Sequence, residues 1–152
     1  MNNKIVPCLW FEKDLPNVIE YYQAIFKDNM TVVYLGDLQN GPGGEYQVAT
    51  IELFDRQYEL LAAGPMFAFT EAISLTIYCE DQAEVDYYWD ALTRNGGAES
   101  MCGWCKDAYG LSWQVVPQRL RELSTTTDTQ TRQYAMNQMF QMKKIVIKDL
   151  EK

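Results

Sequence analysis

The chain has 152 residues, of which 47% are hydrophobic and 22% charged, and a net charge of −8. That length gives about one domain with a sizeable core, and so acidic a chain repels phosphate backbones, so no nucleic-acid partner is expected. It contains no histidine, which removes the usual general base near neutral pH and the commonest zinc or iron ligand.

Any catalysis would have to run on carboxylates, thiols, tyrosines or lysines. No run of about 18 apolar residues is present, so no membrane span is expected. Met1-Asn2-Asn3-Lys4 leads into a strand-like segment without an apolar leader core, which predicts a cytoplasmic protein. Charge is uneven: residues 118–152 carry seven Lys/Arg against four Asp/Glu, whereas 1–117 carry six against seventeen. The basic tail reads as a solvated helix face lying on an acidic body.

Taken in order, residues 5–11 read as a buried strand. Asp14 then serves as a helix N-cap with Pro16 in the first turn, and Val18, Tyr22 and Ile25 make one apolar helical face. Strands are predicted at 30–35 and 46–54, separated by the breaker-rich Asn40-Gly41-Pro42-Gly43-Gly44. Asp55-Arg56 reads as a hairpin turn, with Tyr58–Ala63 as the return strand.

The second half repeats this order. Residues 73–79 alternate as a half-buried strand, Asp81 and Glu84 form a capping pair, and Val85, Trp89 and Leu92 form a helical face ended by Asn95-Gly96-Gly97. A short strand near 99–105, a turn at 107–110 and a final strand at 111–116 follow. Asp14, Val18, Tyr22 and Ile25 fall on Asp81, Val85, Trp89 and Leu92 at a constant spacing of 67. Each half is thus one strand, one helix and three strands. The expected class is α+β, with two βαβββ modules pairing curved mixed sheets around a cavity, because neither sheet alone covers both its faces. Beyond them, a short helix at 118–123 and a longer one carrying Met136, Met139, Phe140 and Met142–Lys144 are predicted. Methionines at that spacing read as packing.

Several stretches resemble one family. Pro7-Cys-Leu-Trp-Phe11, Gly64-Pro-Met-Phe-Ala-Phe-Thr70, Ala72-Ile-Ser-Leu75 and Val85-Asp-Tyr-Tyr-Trp-Asp-Ala-Leu92 are similar to the PhnB-like proteins. So are Cys102-Gly-Trp-Cys-Lys-Asp107, Gly110-Leu-Ser-Trp-Gln-Val-Val-Pro117 and the tail Met139-Phe-Gln-Met-Lys-Lys-Ile145. That family, often labelled 3-demethylubiquinone-9 3-methyltransferase-like, falls within the vicinal oxygen chelate superfamily of glyoxalase, bleomycin-resistance and dioxygenase folds. The resemblance implies one such domain over 1–117, with modules of about 1–64 and 72–117, a C-terminal helical extension over 118–152, and a homodimer. Where the family's Gly-Pro-x-Phe-x-Phe segment commonly carries His and Lys, this chain has Met66 and Ala68.

In the superfamily's metal-using members the ligands come from the first and last strands of each module. Carried over by position, they fall on Pro7, Glu59, Ser74 and Gln114. Proline has no side-chain donor atom, and serine and a glutamine amide are poor ligands for a transition metal. No metal and no cofactor are expected. Alternation instead points Ser74, Thr76 and Tyr78 inward with Glu59, Leu61, Ser112 and Gln114, a mixed lining suited to an organic ligand. Phe67, Phe69, Tyr78 and Trp104 would supply apolar contact to a small aromatic or amphipathic metabolite, and Glu59, Ser74 and Gln114 polar contact.

Glu59 and Cys102 are the candidates for chemistry, Glu59 as a base if half-desolvated. Cys102-Gly103-Trp104-Cys105 has the CxxC spacing, but it runs into a turn and a strand rather than opening a helix, so idle thiols are expected. Four cysteines in a cytosolic protein make no disulfide framework. An adenosylmethionine site of the Rossmann type needs a glycine-rich loop between strand and helix; Gly41–Gly44 is followed by a strand pattern, which argues against methyl transfer. Alternative readings are a lyase, isomerase or dioxygenase with a relocated metal, and a dimeric scaffold whose Met-rich helix docks a partner.

Overall fold

The two stretches 67 residues apart form helices of 12 residues each, Leu15–Phe26 (α1) and Gln82–Thr93 (α2), in a computed structural model that describes residues 4–152. Residues 1–3, where the sequence predicts no leader, lie outside the described residues. Asp14 caps α1 by accepting from the Asn17 amide at 3.3 Å. Asp81 caps α2 by accepting from the Glu84 amide at 2.9 Å. Glu84 reaches back to the Glu80 amide at 2.7 Å, one residue earlier than an ordinary capping box. Val18, Tyr22 and Ile25 are buried on α1, and Val85, Trp89 and Leu92 on α2, as their spacing predicts.

The chain divides into two compact units, one ending at Ala68 and one beginning at Phe69. The first contains strands Cys8–Phe11 (β1), Met30–Leu35 (β2), Gln39–Gly41 (β3), Gly44–Leu53 (β4) and Arg56–Ala62 (β5), in the order β1-β5-β4-β2 with β3 on β4. β1 and β5 are parallel and the rest antiparallel. The first strand starts at Cys8 rather than at residue 5. Pro7 has no N–H for the ladder, and Ile5 is exposed. The glycine-rich stretch makes a two-residue turn between β3 and β4, a pairing the sequence did not suggest. The β4–β5 turn falls at Phe54-Asp55, both at positive φ (46° and 60°), one residue earlier than expected.

The second unit holds Ser74–Cys79 (β6), Ala98–Glu99 (β7), Trp104–Lys106 (β8) and Ser112–Pro117 (β9), in the order β6-β9-β8-β7 with β6 and β9 parallel. The strand expected near 99–105 is therefore two short strands. Cys102 (φ 60°) and Gly103 (φ 80°) turn through the left-handed region between them. Helices Gln118–Thr125 (α3) and Thr129–Met139 (α4) follow. Met142–Lys144 lie outside α4, contrary to the sequence pattern. Their carbonyls turn away instead, Met142 O and Lys143 O accepting from the Cys102 and Gly103 amides at 2.7 Å each.

Leu120, Leu123, Ala135, Ile145 and Leu150 form a buried cluster that carries the tail. Each large side chain contributes about 1.5–3 kcal/mol on burial. Ion pairs Lys143–Glu99 (3.3 Å) and Lys144–Asp86 (2.7 Å) match the basic tail to acidic partners, but exposed pairs of this kind add little. Packing, not charge, seats the tail.

Gly97 sits where α2 meets β8: a Cβ there would lie 2.0 Å from Leu92 O and 2.8 Å from Lys106 O. Gly97→Ala should therefore cost about 2–4 kcal/mol, read as a lower urea midpoint. Gly43→Ala, with nothing within 4 Å, should leave the midpoint within error. Equal midpoints for both variants would contradict this packing.

Candidate functional site

Alternation along the second sheet separates two faces. Ile77, Cys79, Cys105, Trp113 and Val115 are buried on one parity, and α2 packs against β6, β8 and β9. The other parity presents cross-strand rows, among them Trp104–Gln114–Thr76 and Lys106–Ser112–Ser74. Thr76, Tyr78, Trp104, Gln114 and Val116 line an open pocket of about 700 Å³ on that face. Its far wall is built by Leu120, Arg121 and Ser124 of α3, then Met136, Met139 and Phe140. Ser100, Met101 and Cys102 from the β7–β8 turn complete the lining.

Gln114 Nε2 donates to Ser74 Oγ at 2.9 Å, so Ser74 orients the amide from behind the pocket. Tyr78 is 47% exposed, and the Arg121 guanidinium lies over its ring, 5.0 Å from the centroid. Ser112 Oγ, in the neighbouring row, is buried without a hydrogen-bond partner, the one buried side-chain atom so placed among the described residues. Lys106 in that row pairs with Glu71 at 2.5 Å. The Cys102–Gly103 turn is held from two sides, by the tail carbonyls and by the Val115 amide donating to Gly103 O at 2.8 Å. A Cβ on Gly103 would lie 2.8 Å from the Val115 carbonyl oxygen, and its φ is 80°, so only glycine fits.

The structure thus brings Tyr78, Trp104 and Gln114 together, with Ser74 behind Gln114 and Cys102 at the edge. Phe69 is half-buried at the start of the second unit and does not line the pocket. Glu59 and Phe67 belong to the first unit. Glu59 is exposed on β5, so the partial burial that would favour it as a base is not met within its own unit. Phe67 is exposed and packs edge-on against Trp10 at 5.0 Å. Sequence reasoning missed the α3 and α4 contribution. The methionine spacing was the available signal, and Met136 and Met139 serve both the tail cluster and the pocket.

Residues 3–116 match the family described as 3-demethylubiquinone-9 3-methyltransferase. The chain belongs to that family. A solved PhnB protein from Bacillus cereus is 29% identical, with a TM-score of 0.65 over 75% of this chain and 98% of that one. Protein PA1353 of Pseudomonas aeruginosa is 18% identical (TM-score 0.57, 74% and 96% covered). The fosfomycin resistance protein FosX of Mesorhizobium loti is 14% identical (TM-score 0.56, 76% and 91% covered). These two show the fold alone; with the family match and the PhnB structure, it is that of the vicinal oxygen chelate superfamily. No curated protein matches in sequence. The family match stops short of α3, α4 and the tail, so the likeness of residues 139–145 lies outside it.

The 3-demethylubiquinone-9 3-methyltransferase description does not fit an adenosylmethionine site of the Rossmann type here. Gly41–Gly44 joins two antiparallel strands, not a strand and a helix. Nor do the superfamily's metal positions suit a transition metal. Pro7 offers only a backbone carbonyl, which accepts from the Glu59 amide at 2.9 Å. Ser74 and Gln114 are hydrogen-bonded to each other. Among the described residues, no three of the Cys, Asp and Glu side chains group as a metal ion needs.

The CxxC pair is divided by its surroundings. Burial, and after it the charge of Asp107, pushes the Cys105 thiol up to about 12. Burial does the same for Cys79, followed by Glu84 and Asp81. At pH 8 about one such thiol in ten thousand is ionised. A short pulse of iodoacetamide at pH 8 should therefore label Cys102 and leave Cys79 and Cys105 unmodified until urea unfolds the protein. Raising the pH towards 12 should speed the labelling of Cys79 and Cys105 without a plateau. Native-state labelling of Cys105 equal to that of Cys102 would show the pair to be open to chemistry.

Proposed function

We propose that this PhnB-like protein binds a small aromatic or amphipathic metabolite without a metal ion, in the pocket of its second unit, as a cytoplasmic homodimer. The observation that carries this reading is the pocket itself. Its volume falls within the range of small-molecule sites, about 300–1,000 Å³. It sets Tyr78, Trp104 and Phe140 beside the polar Thr76 and Gln114. The methionines Met101, Met136 and Met139 add soft, adaptable walls.

The donor chemistry at the superfamily's metal positions supports metal independence, since only Glu59 of the four is a good ligand. Val33, Tyr34, Leu35 and Val48, exposed on β2 and β4, offer the apolar strip a second copy would cover. If chemistry accompanies binding, Cys102, which lines the pocket, is the candidate reactive group. The domain boundary is proposed functionally as well: residues 1–117 supply the superfamily fold and 118–152 an extension that forms one wall of the site.

Native mass spectrometry of protein purified without chelator tests this. A dimer free of stoichiometric transition metal, releasing an organic mass of a few hundred daltons on denaturation, is the expected result. One transition metal per chain would overturn metal independence and favour a lyase, isomerase or dioxygenase with a relocated site. A monomer would remove the dimer.

A further inference from the structure

We infer that the pocket selects an organic anion, an aromatic or long-chain carboxylate, and that Arg121 is the residue that reads its charge. This deepens the pocket-binding reading and rests on it.

Three observations converge on Arg121. First, it is the only charged side chain among the described residues that line the pocket; no carboxylate lines it. In a protein of net charge −8, a ligand site with one cation and no acid is an electrostatic exception. Second, the neighbouring cations are used internally. Arg119 is bonded to Glu122 and Glu151, Lys106 to Glu71, Lys143 to Glu99 and Lys144 to Asp86. Arg132 Nη1 donates to Thr126 O at 2.5 Å. Among the described residues Arg121 makes no ion pair and no side-chain hydrogen bond, although Glu122 is its chain neighbour. Third, its position is defined: the guanidinium rests on the Tyr78 ring at 5.0 Å. Its carbonyl accepts from the Ser124 and Thr125 hydroxyls at 2.8 and 3.1 Å, which fixes the last turn of α3.

A planar guanidinium with free N–H groups matches a carboxylate in a forked, two-bond geometry. Trp104, Met136, Met139 and Phe140 around it favour an apolar body over a sugar or a nucleotide. A single cation suits one negative charge better than the several of a polyphosphate. Arg121 and most of that apolar wall lie beyond residue 116, where the family match ends. Anion selection is thus a property of the α3–α4 extension in this chain, not of the shared sheet.

The test compares 1-naphthoate with its neutral counterpart 1-naphthalenemethanol on the full chain. The readout is the Trp104 indole signal in a ¹⁵N correlation spectrum, identified among the four tryptophans by Trp104→Phe. We expect 1-naphthoate to bind at least tenfold more tightly than the alcohol, and to weaken when salt is raised from 0.05 to 0.5 M. Arg121→Met keeps the stem over Tyr78 and should weaken naphthoate at least tenfold while leaving the alcohol within twofold; Arg121→Lys should recover part of the loss. If both probes bind alike and neither responds to Arg121→Met, the anion assignment is overturned while the pocket stands. If neither probe moves the Trp104 signal, the pocket reading and this inference fall together.

Discussion

A buried carboxylate must be met by donors on every side, and in the second unit that demand falls on Asp107. It is 1% exposed. One oxygen accepts from the Tyr109 and Leu111 amides at 2.9 and 3.1 Å, the other from the Trp113 indole at 2.8 Å. Stripping a buried charge of a partner costs about 3–5 kcal/mol, so this set of bonds tolerates no slip in register. It pins the turn at 107–110 and ties Trp113 to the side of β9 that carries the buried core. Gln114, the next residue, must then face the opposite way. The pocket's polar floor follows from a carboxylate that never touches it.

Much of the fold was legible because its signals are local. Asp14 and Asp81 mark two helix starts at the predicted positions, and β2 has the expected bounds. What sequence spacing blurs is the strand register. The helices repeat at 67, but the first strands of the two units repeat at 68 when their parallel partners are matched: Cys8 pairs with Glu59 and Thr76 with Gln114. Three residues lead from Phe11 to the cap Asp14, whereas two lead from Cys79 to Asp81. Asp14 bends through φ 61° while Asp81 is extended, which absorbs the difference. Aligning Glu59 on Gln114 therefore sets Cys8 on Thr76, so Pro7 and Ser74 do not share one register with that pair.

The site was less legible, for a physical reason. Tyr78, Trp104 and Gln114 announce their side of the sheet by period-two alternation. Nothing in α3 or α4 announces which sheet it will cover. The hydrophobic pattern of Leu120, Leu123, Met136 and Met139 says only that these residues will be buried, and the left-handed Cys102 that docks the tail is invisible in a non-glycine residue. A family pattern that ends at residue 116 cannot supply what lies beyond it.

Gln82 shows how late this structure closes. At the first position of α2, its amide donates to Ile145 O and accepts from the Ile147 amide, at 3.1 and 2.8 Å. Leu150 is fully buried. A bond partner at residue 82 thus waits for residues made more than sixty positions later. At about 5–20 residues per second, the stretch from Phe69 to Leu150 takes roughly 4–16 s to synthesise. Throughout that interval the nascent second unit shows Tyr78, then Trp104 and the methionines, to solvent. Until α3, α4 and the tail behind them are made, this half of the chain keeps that apolar surface uncovered, as aggregation-prone folding intermediates do.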